Sequence, residues 1–63
     1  MLIKNGSSVE VVAGSFAGAA GVVRSLWLDE FMRANVIVEL VPVVRGVAHW
    51  IFEPDSLKAR RTA

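Results

Sequence analysis

Hydrophobic and polar residues alternate over several short stretches of the chain, and glycine or proline interrupts the alternation roughly every 10–15 residues. A period of two is typical of β-strands that bury one face, and helical periodicity is poor over most of the sequence. We predict strands over residues 8–12, 22–28, 35–41 and 47–52, the second of them bent near Arg24 and Ser25.

Two kinds of residue mark the connections between these strands. Gly14, Gly18 and Gly21 interrupt the chain around Phe16, where a tight loop re-enters the sheet and needs close backbone approach. Pro42 cannot donate a ladder hydrogen bond, so the third strand should end there or run along an edge, with residues 43–44 continuing it after a bulge.

The later turns are also marked in the sequence. Arg45 and Gly46 should turn the chain into the fourth strand. Residues 53–56 (EPDS) predict a single 3₁₀ turn that returns Leu57 to the core.

Residues 25–35 support two interpretations. Trp27 with Phe31, and Leu28 with Met32, are i,i+4 pairs that would suit a short amphipathic helix. We favour a strand followed by a hairpin loop around residues 29–30, because the neighbouring segments all have strand character.

These elements predict one all-β domain over residues 1–63, with its core at about residues 8–58. So many short strands with Gly-rich turns predict a small barrel of about five strands that closes its own edges. The predicted core consists of Val9, Val11, Val23, Val36, Val38, Leu40, Trp50, Phe52 and Leu57.

Composition changes this picture in one respect. The chain has 63 residues, 54% of them hydrophobic, and no cysteine. A domain of this length has a small core and usually needs staples or partners, and disulfides and thiolate metal sites are excluded. We therefore expect self-association in a reducing, cytoplasmic setting.

No signal-peptide pattern is present, and the longest uncharged stretch, residues 11–23, is too short for a membrane span.

The apolar residues left over from the core predict an interface. The predicted loop around residues 29–30 would normally be polar, but it is flanked by four large apolar residues, Trp27, Leu28, Phe31 and Met32. Aromatic and Met side chains dominate the cores of protein interfaces. Further apolar residues should face outward from the strands, and monomeric proteins rarely expose so much apolar surface. It contains Ile37, Val41, Val43, Val44, Val47 and Ile51.

The charged residues argue against catalysis and only weakly for nucleic acid. With a net charge of +1, global attraction to phosphates is small, although Lys58, Arg60 and Arg61 cluster near the end. The residues that would contact RNA are Lys4, Arg24, Arg33, Arg45 and that cluster. His49 should point outward, and no nucleophile elbow, metal-ligand spacing or phosphate loop accompanies it. We expect no catalytic residue, metal or cofactor.

Residues 9–18 (VEVVAGSFAG), followed by 21–23 (GVV), resemble the KOW motif of SH3-like barrels. The similarity extends over about residues 9–58 and is greatest to the C-terminal domain of NusG-type transcription factors. Residues 36–38 are similar to that family's central strand, and Arg45-Gly46 lies near its glycine–arginine turn with the order reversed. Trp50, Phe52 and Leu57 match its inward positions in the last strand and closing turn.

The resemblance implies an SH3-like barrel that binds other molecules. In NusG-type proteins this barrel docks a ribosomal protein and a termination factor, and in ribosomal KOW proteins its loops touch RNA. Here Ala13, Ser15 and Ala17 stand where the ribosomal members carry basic residues. The leading hypothesis is therefore a non-catalytic KOW-type module that binds a protein partner linked to transcription or translation, and that self-associates. An RNA-binding KOW protein is one alternative.

Type II dihydrofolate reductases provide the other alternative. They are SH3-like barrels of comparable length that assemble around a single pore, and their last strand carries a valine-glutamine-isoleucine-tyrosine signature. The corresponding residues 49–52 read HWIF, so only Ile51 matches. The resemblance leaves a homo-oligomeric barrel with a small-ligand pore as a hypothesis, but without the family's reductase signature.

Overall fold

The structure is a computed structural model that describes residues 3–60. The described chain forms five antiparallel strands and one 3₁₀ turn, with no α-helix in residues 3–60. The all-β class, the number of strands and the 3₁₀ turn are as predicted. In chain order the elements are β1 (Ser8–Val11), β2 (Ala20–Leu28), β3 (Ala34–Val44), β4 (Val47–Phe52), the turn Pro54–Ser56 and β5 (Leu57–Ala59).

The strands form one sheet with the order β4-β3-β2-β1-β5. The predicted closure of the barrel is wrong, because no ladder joins β4 to β5 within residues 3–60. After Phe52 the 3₁₀ turn contacts β3 and then delivers Leu57 to the far side of β1. β5 is only three residues long and pairs with β1, so within residues 3–60 each outer strand has one edge without a paired neighbour.

The core lies on a single face of this sheet. Because the described chain has no second layer, that face must bury itself by curvature. Eight of the nine predicted core residues are buried, namely Val9, Val11, Val23, Val36, Val38, Leu40, Phe52 and Leu57. Trp50 is the exception at 50% exposure, because edge strand β4 has no outer neighbour to cover it. Val44 and Val47, predicted to face outward, instead pack against the core.

Phe16, on the loop between β1 and β2, covers part of this face. Its ring packs against the core at 5.2 Å from the Trp50 ring and 6.0 Å from that of Phe52. Arg45 holds the loop from outside: its guanidinium lies 5.5 Å from the Phe16 centroid, and its Nη2 donates a 2.8 Å hydrogen bond to the Ser15 carbonyl. The loop between β1 and β2 is thus tied to the turn between β3 and β4.

Irregular pairings bend the sheet. Between Val23 and Ser25 the β2–β3 register shifts by one residue, so Arg24 is the extra residue of a bulge at the predicted bend.

Pro42 does not end β3, which continues to Val44 after an irregularity, as predicted. At Pro42 the strand has no paired β2 residue and runs along an edge on that side, also as predicted. Leu40 is the last β3 residue that pairs with β2, and Pro42 follows it. Pro42 also lies where the pairing between β3 and β4 is irregular. No ladder hydrogen bond therefore requires the backbone N–H that proline lacks.

The connection between β3 and β4 is a two-residue hairpin turn. Val44 pairs with Val47, and the intervening Arg45 and Gly46 have φ values of +48° and +79°. Two consecutive positive φ angles are the requirement of a type I′ turn, whose twist matches that of the flanking strands. Gly46 adopts this conformation without a Cβ penalty, and the turn aims Arg45 at Phe16.

Gly21 is required for a different reason, namely close packing. It is buried between β1 and β3, opposite Val9 and Leu40. A Cβ at this position would overlap the Glu39 carbonyl oxygen and lie 2.5 Å from Val38 Cγ1. The close backbone approach predicted at this glycine is therefore an approach to β3.

We expect Gly21→Ala to destabilise the fold by about 1–3 kcal/mol, because the added methyl meets backbone that cannot move aside easily. Ser25→Ala, on the same strand but half-buried, is the control. Chemical denaturation at one fixed protein concentration measures both. Equal midpoints for Gly21→Ala and the wild type would contradict the packing explanation.

Candidate interaction surface

The predicted interface residues do not form one patch in the structure. Four of them cluster where β2 turns into β3, and we call this group the hairpin tip: Trp27, Leu28, Phe31 and Met32. Ile37 and Ile51 are a cross-strand pair on the outer face, and Ile37 is half-buried. Val41 and Val43 are exposed at the opposite end of β3.

The loop of the hairpin tip, residues 29–33, is organised by Asp29. Its Oδ1 accepts hydrogen bonds from the backbone N–H groups of Phe31 and Arg33, both at 2.9 Å. The Asn35 side-chain amide donates to Oδ2 at 3.3 Å and to the Arg33 carbonyl at 3.1 Å. The Asp29 N–H also donates to the Arg33 carbonyl at 2.9 Å, closing the loop. The loop prediction is confirmed, and the helix alternative is wrong.

This polar scaffold leaves the apolar side chains of the loop to solvent. Phe31 is 72% exposed and Met32 is 75% exposed. Met32 has a φ of +61°, a conformation that the Met32 N–H to Asp29 carbonyl bond of 3.0 Å helps to hold. The Arg33 guanidinium lies 5.9 Å from the centroid of the Phe31 ring. The tip therefore presents two large apolar groups on a loop with its own hydrogen-bond network.

The same hydrogen bonds set the ionisation of Asp29. The hydrogen bond from the backbone N–H of Arg33 is the main cause that lowers the pKa of this carboxyl below its ordinary value of 3.8. Desolvation raises the pKa in part, and the bonds from the Asn35 amide and the Phe31 N–H lower it further. Hydrogen bonds to the charged form stabilise that form. The ionised form of Asp29 therefore holds the loop more strongly than the protonated form.

The outer face of the sheet carries mixed rows across β2, β3 and β4. Ser25, Ile37 and Ile51 form one row, and Val22, Glu39 and His49 form the next. His49 therefore lies on the face opposite Trp50, as expected from alternation. Arg24 leans over this face: its Nε donates to Glu39 Oε1 at 2.7 Å, and its Nη2 lies 2.6 Å from the same oxygen. Both side chains are substantially exposed, so the pair contributes little stability.

The basic residues predicted to contact RNA are dispersed. Arg24 is paired with Glu39, and Arg45 is engaged with the loop of Phe16. Lys58 on β5 pairs with Glu10 on β1. Arg60 follows β5, and its backbone N–H donates a hydrogen bond to the Ser8 carbonyl of β1. Arg61 lies outside the described residues. Within residues 3–60, Lys58 and Arg60 line one shallow depression together with the carboxylate-bearing Glu10.

Within residues 3–60, no three His, Asp or Glu side chains come together in a group that could hold a metal ion. The same part of the chain contains no helix with the length and apolar character of a membrane span. The surface depressions are shallow; one runs along His49, Trp50 and Ile51 on β4.

Sequence reasoning missed two features of this surface. It placed a loop around residues 29–30 without assigning Asp29 a role, although Asp side chains often accept hydrogen bonds from backbone two residues further on in turns. It also placed Trp50 in the core. No local signal distinguishes an inward position on an edge strand from one on an interior strand, so the exposure of Trp50 depends on strand order.

Because folding lowers the pKa of Asp29, the unfolded chain binds more protons in acid, and this carboxyl stabilises the fold less as pH falls from above 3.8 through the lowered value. We expect the amide resonances of Phe31 and Arg33 to shift together with that titration in NMR spectra. In Asp29→Asn the acid-dependent step should disappear from both amides. An Asp29 titration at or above its ordinary pKa would contradict the hydrogen-bond network.

A comparison of the chain with protein-family models, curated proteins and solved structures found no match. The resemblance to KOW-type barrels therefore depends on the residues quoted from the sequence, and remains a prediction.

Proposed function

We propose that this chain is a non-catalytic binding module that uses the hairpin tip to dock on an apolar surface of a protein partner. The observation that carries the proposal is the exposure of Phe31 and Met32 on a loop whose backbone is held by Asp29. A flexible apolar loop would lose conformational entropy on binding, whereas an organised loop is ordered beforehand. The tip thus has the character of a preorganised anchor.

The surroundings of the tip support the same proposal. Trp27 and Leu28 keep about half of their surface exposed and add apolar surface on the two faces of β2 next to the loop. Asp29, Glu30 and Arg33 surround it with polar groups. An apolar centre with aromatic and Met side chains and a polar rim is the usual composition of a binding hot spot.

The resemblance to KOW-type SH3-like barrels directs the proposal toward transcription or translation machinery in the cytoplasm. The module would also self-associate, because ten large hydrophobic residues remain exposed in the described chain, whereas its buried core has eight residues. Small domains usually compensate for such a limited core by association.

We expect Phe31→Asp to abolish or weaken partner binding by at least about tenfold, because it places a charge at the centre of the apolar tip. The matched control is Val43→Asp, which makes the same kind of change at an exposed site at the other end of β3. Immobilised wild type and both variants are compared for the proteins they retain from the native host, and the retained protein is then titrated by calorimetry.

Circular dichroism and thermal unfolding establish that both variants are folded. Equal retention by the wild type and Phe31→Asp would contradict the proposal for the tip. Loss of binding in Val43→Asp alone would move the interface to the opposite end of the sheet. Unfolding of Phe31→Asp would show that Phe31 supports the fold, against its exposure.

A further inference from the structure

The two edges of the sheet differ in how they are protected against pairing. β5 is short, Lys58 places a positive charge on it, and Arg60 adds another directly after its last residue. β4 is six residues long, carries no Asp, Glu, Lys or Arg, and contains neither glycine nor proline. Short strands, charges and prolines are the devices that prevent edge pairing, and β4 has none of them.

Large side chains of β4 are exposed to solvent, like the backbone groups of its free edge. Trp50 is 50% exposed on the core face, and Ile51 is 54% exposed on the outer face. Together with His49 they line a shallow depression along the strand. A partner strand laid against this edge would therefore find unpaired backbone groups flanked by apolar side chains on both faces.

We propose that β4 pairs in antiparallel fashion with β4 of a second copy of this chain, forming a closed two-fold dimer with a continuous ten-stranded sheet. The inference deepens the self-association in the proposed function and assigns it to a surface separate from the hairpin tip.

A second copy fits this edge better than a foreign strand for two reasons. Antiparallel pairing about a two-fold axis brings residues of the same face together, so Trp50 and Ala48 meet core-face residues of the partner, and His49 and Ile51 meet its outer-face residues. No charged side chain on β4 opposes this contact. The strand also offers no charge pattern by which a foreign segment would be selected.

The protection of β5 explains why the assembly stops at two copies. Pairing of β4 with β5 of another copy would be head-to-tail and would generate an open filament. The short length of β5, the charge of Lys58 on it and the charge of Arg60 directly after it disfavour that contact. The β4–β4 contact uses up the one unprotected edge of each protomer within the described chain.

The size of the contact indicates its strength. A six-residue strand extends about 20 Å, and its edge with four exposed side chains offers on the order of 500 Å² per protomer. Two copies together bury about 1,000 Å², close to the lower limit for a specific interface. We therefore expect a reversible dimer whose population depends on concentration.

The test uses sedimentation equilibrium of the full chain at micromolar to millimolar concentration. The wild type should pass from the 6.8 kDa monomer to twice that mass and no further. Ile51→Lys, which adds a charge on the exposed edge, should raise the dimer dissociation constant roughly tenfold or more. Leu28→Lys, a matched change at a residue 58% exposed on the hairpin tip, should leave it unchanged.

Amide hydrogen exchange of the wild type provides a second measurement that needs no variant. In the monomer, alternate β4 amides face away from β3 and exchange quickly; in the dimer they should become protected as concentration rises. A monomer at every concentration, growth beyond a dimer, or β4 protection that does not depend on concentration would each overturn the inference.

The two proposals fail in different ways. Phe31→Asp should lose the partner and keep the dimer, and Ile51→Lys should lose the dimer and keep the hairpin-tip contact with the partner. If Phe31→Asp or Leu28→Lys dissociates the dimer while Ile51→Lys does not, the tip is the self-association surface and the β4 assignment is wrong.

Discussion

The structure depends on a single sheet burying one of its own faces. A flat sheet of five short strands would expose every side chain, since residues 3–60 offer no second layer. Curvature is therefore a condition of stability, and several residues provide it. The bulge at Arg24 bends β2, the missing Cβ of Gly21 lets β3 approach, and Phe16 covers the part of the face that the strands leave open.

This arrangement also explains why so much apolar surface remains outside. Within residues 3–60, one face of this small sheet buries eight hydrophobic side chains. The hydrophobic residues at the hairpin tip and on the edge strand have no place in that volume. Their exposure follows from the geometry of the fold, and it makes them available for intermolecular contacts.

The hairpin tip and the edge strand are two different ways of presenting apolar surface. At the tip, Asp29 satisfies backbone donors within the loop, so Phe31 and Met32 are held outward without the help of the core. On β4, Trp50 is held from one side by Phe16 and is uncovered on the other because the sheet ends there. The first surface is defined by local hydrogen bonds, and the second by the order of the strands.

The sequence by itself determined the elements and the core. Alternation located Val9, Val11, Val36 and Val38 on the buried face, and turn residues located the Arg45–Gly46 hairpin and the 3₁₀ turn. These features depend on side-chain period and local backbone preference, which a single sequence records. Only the tertiary structure decided that the sheet stays open and that Trp50 is half-exposed. Each of these depends on which strands are neighbours, and no local pattern carries that information.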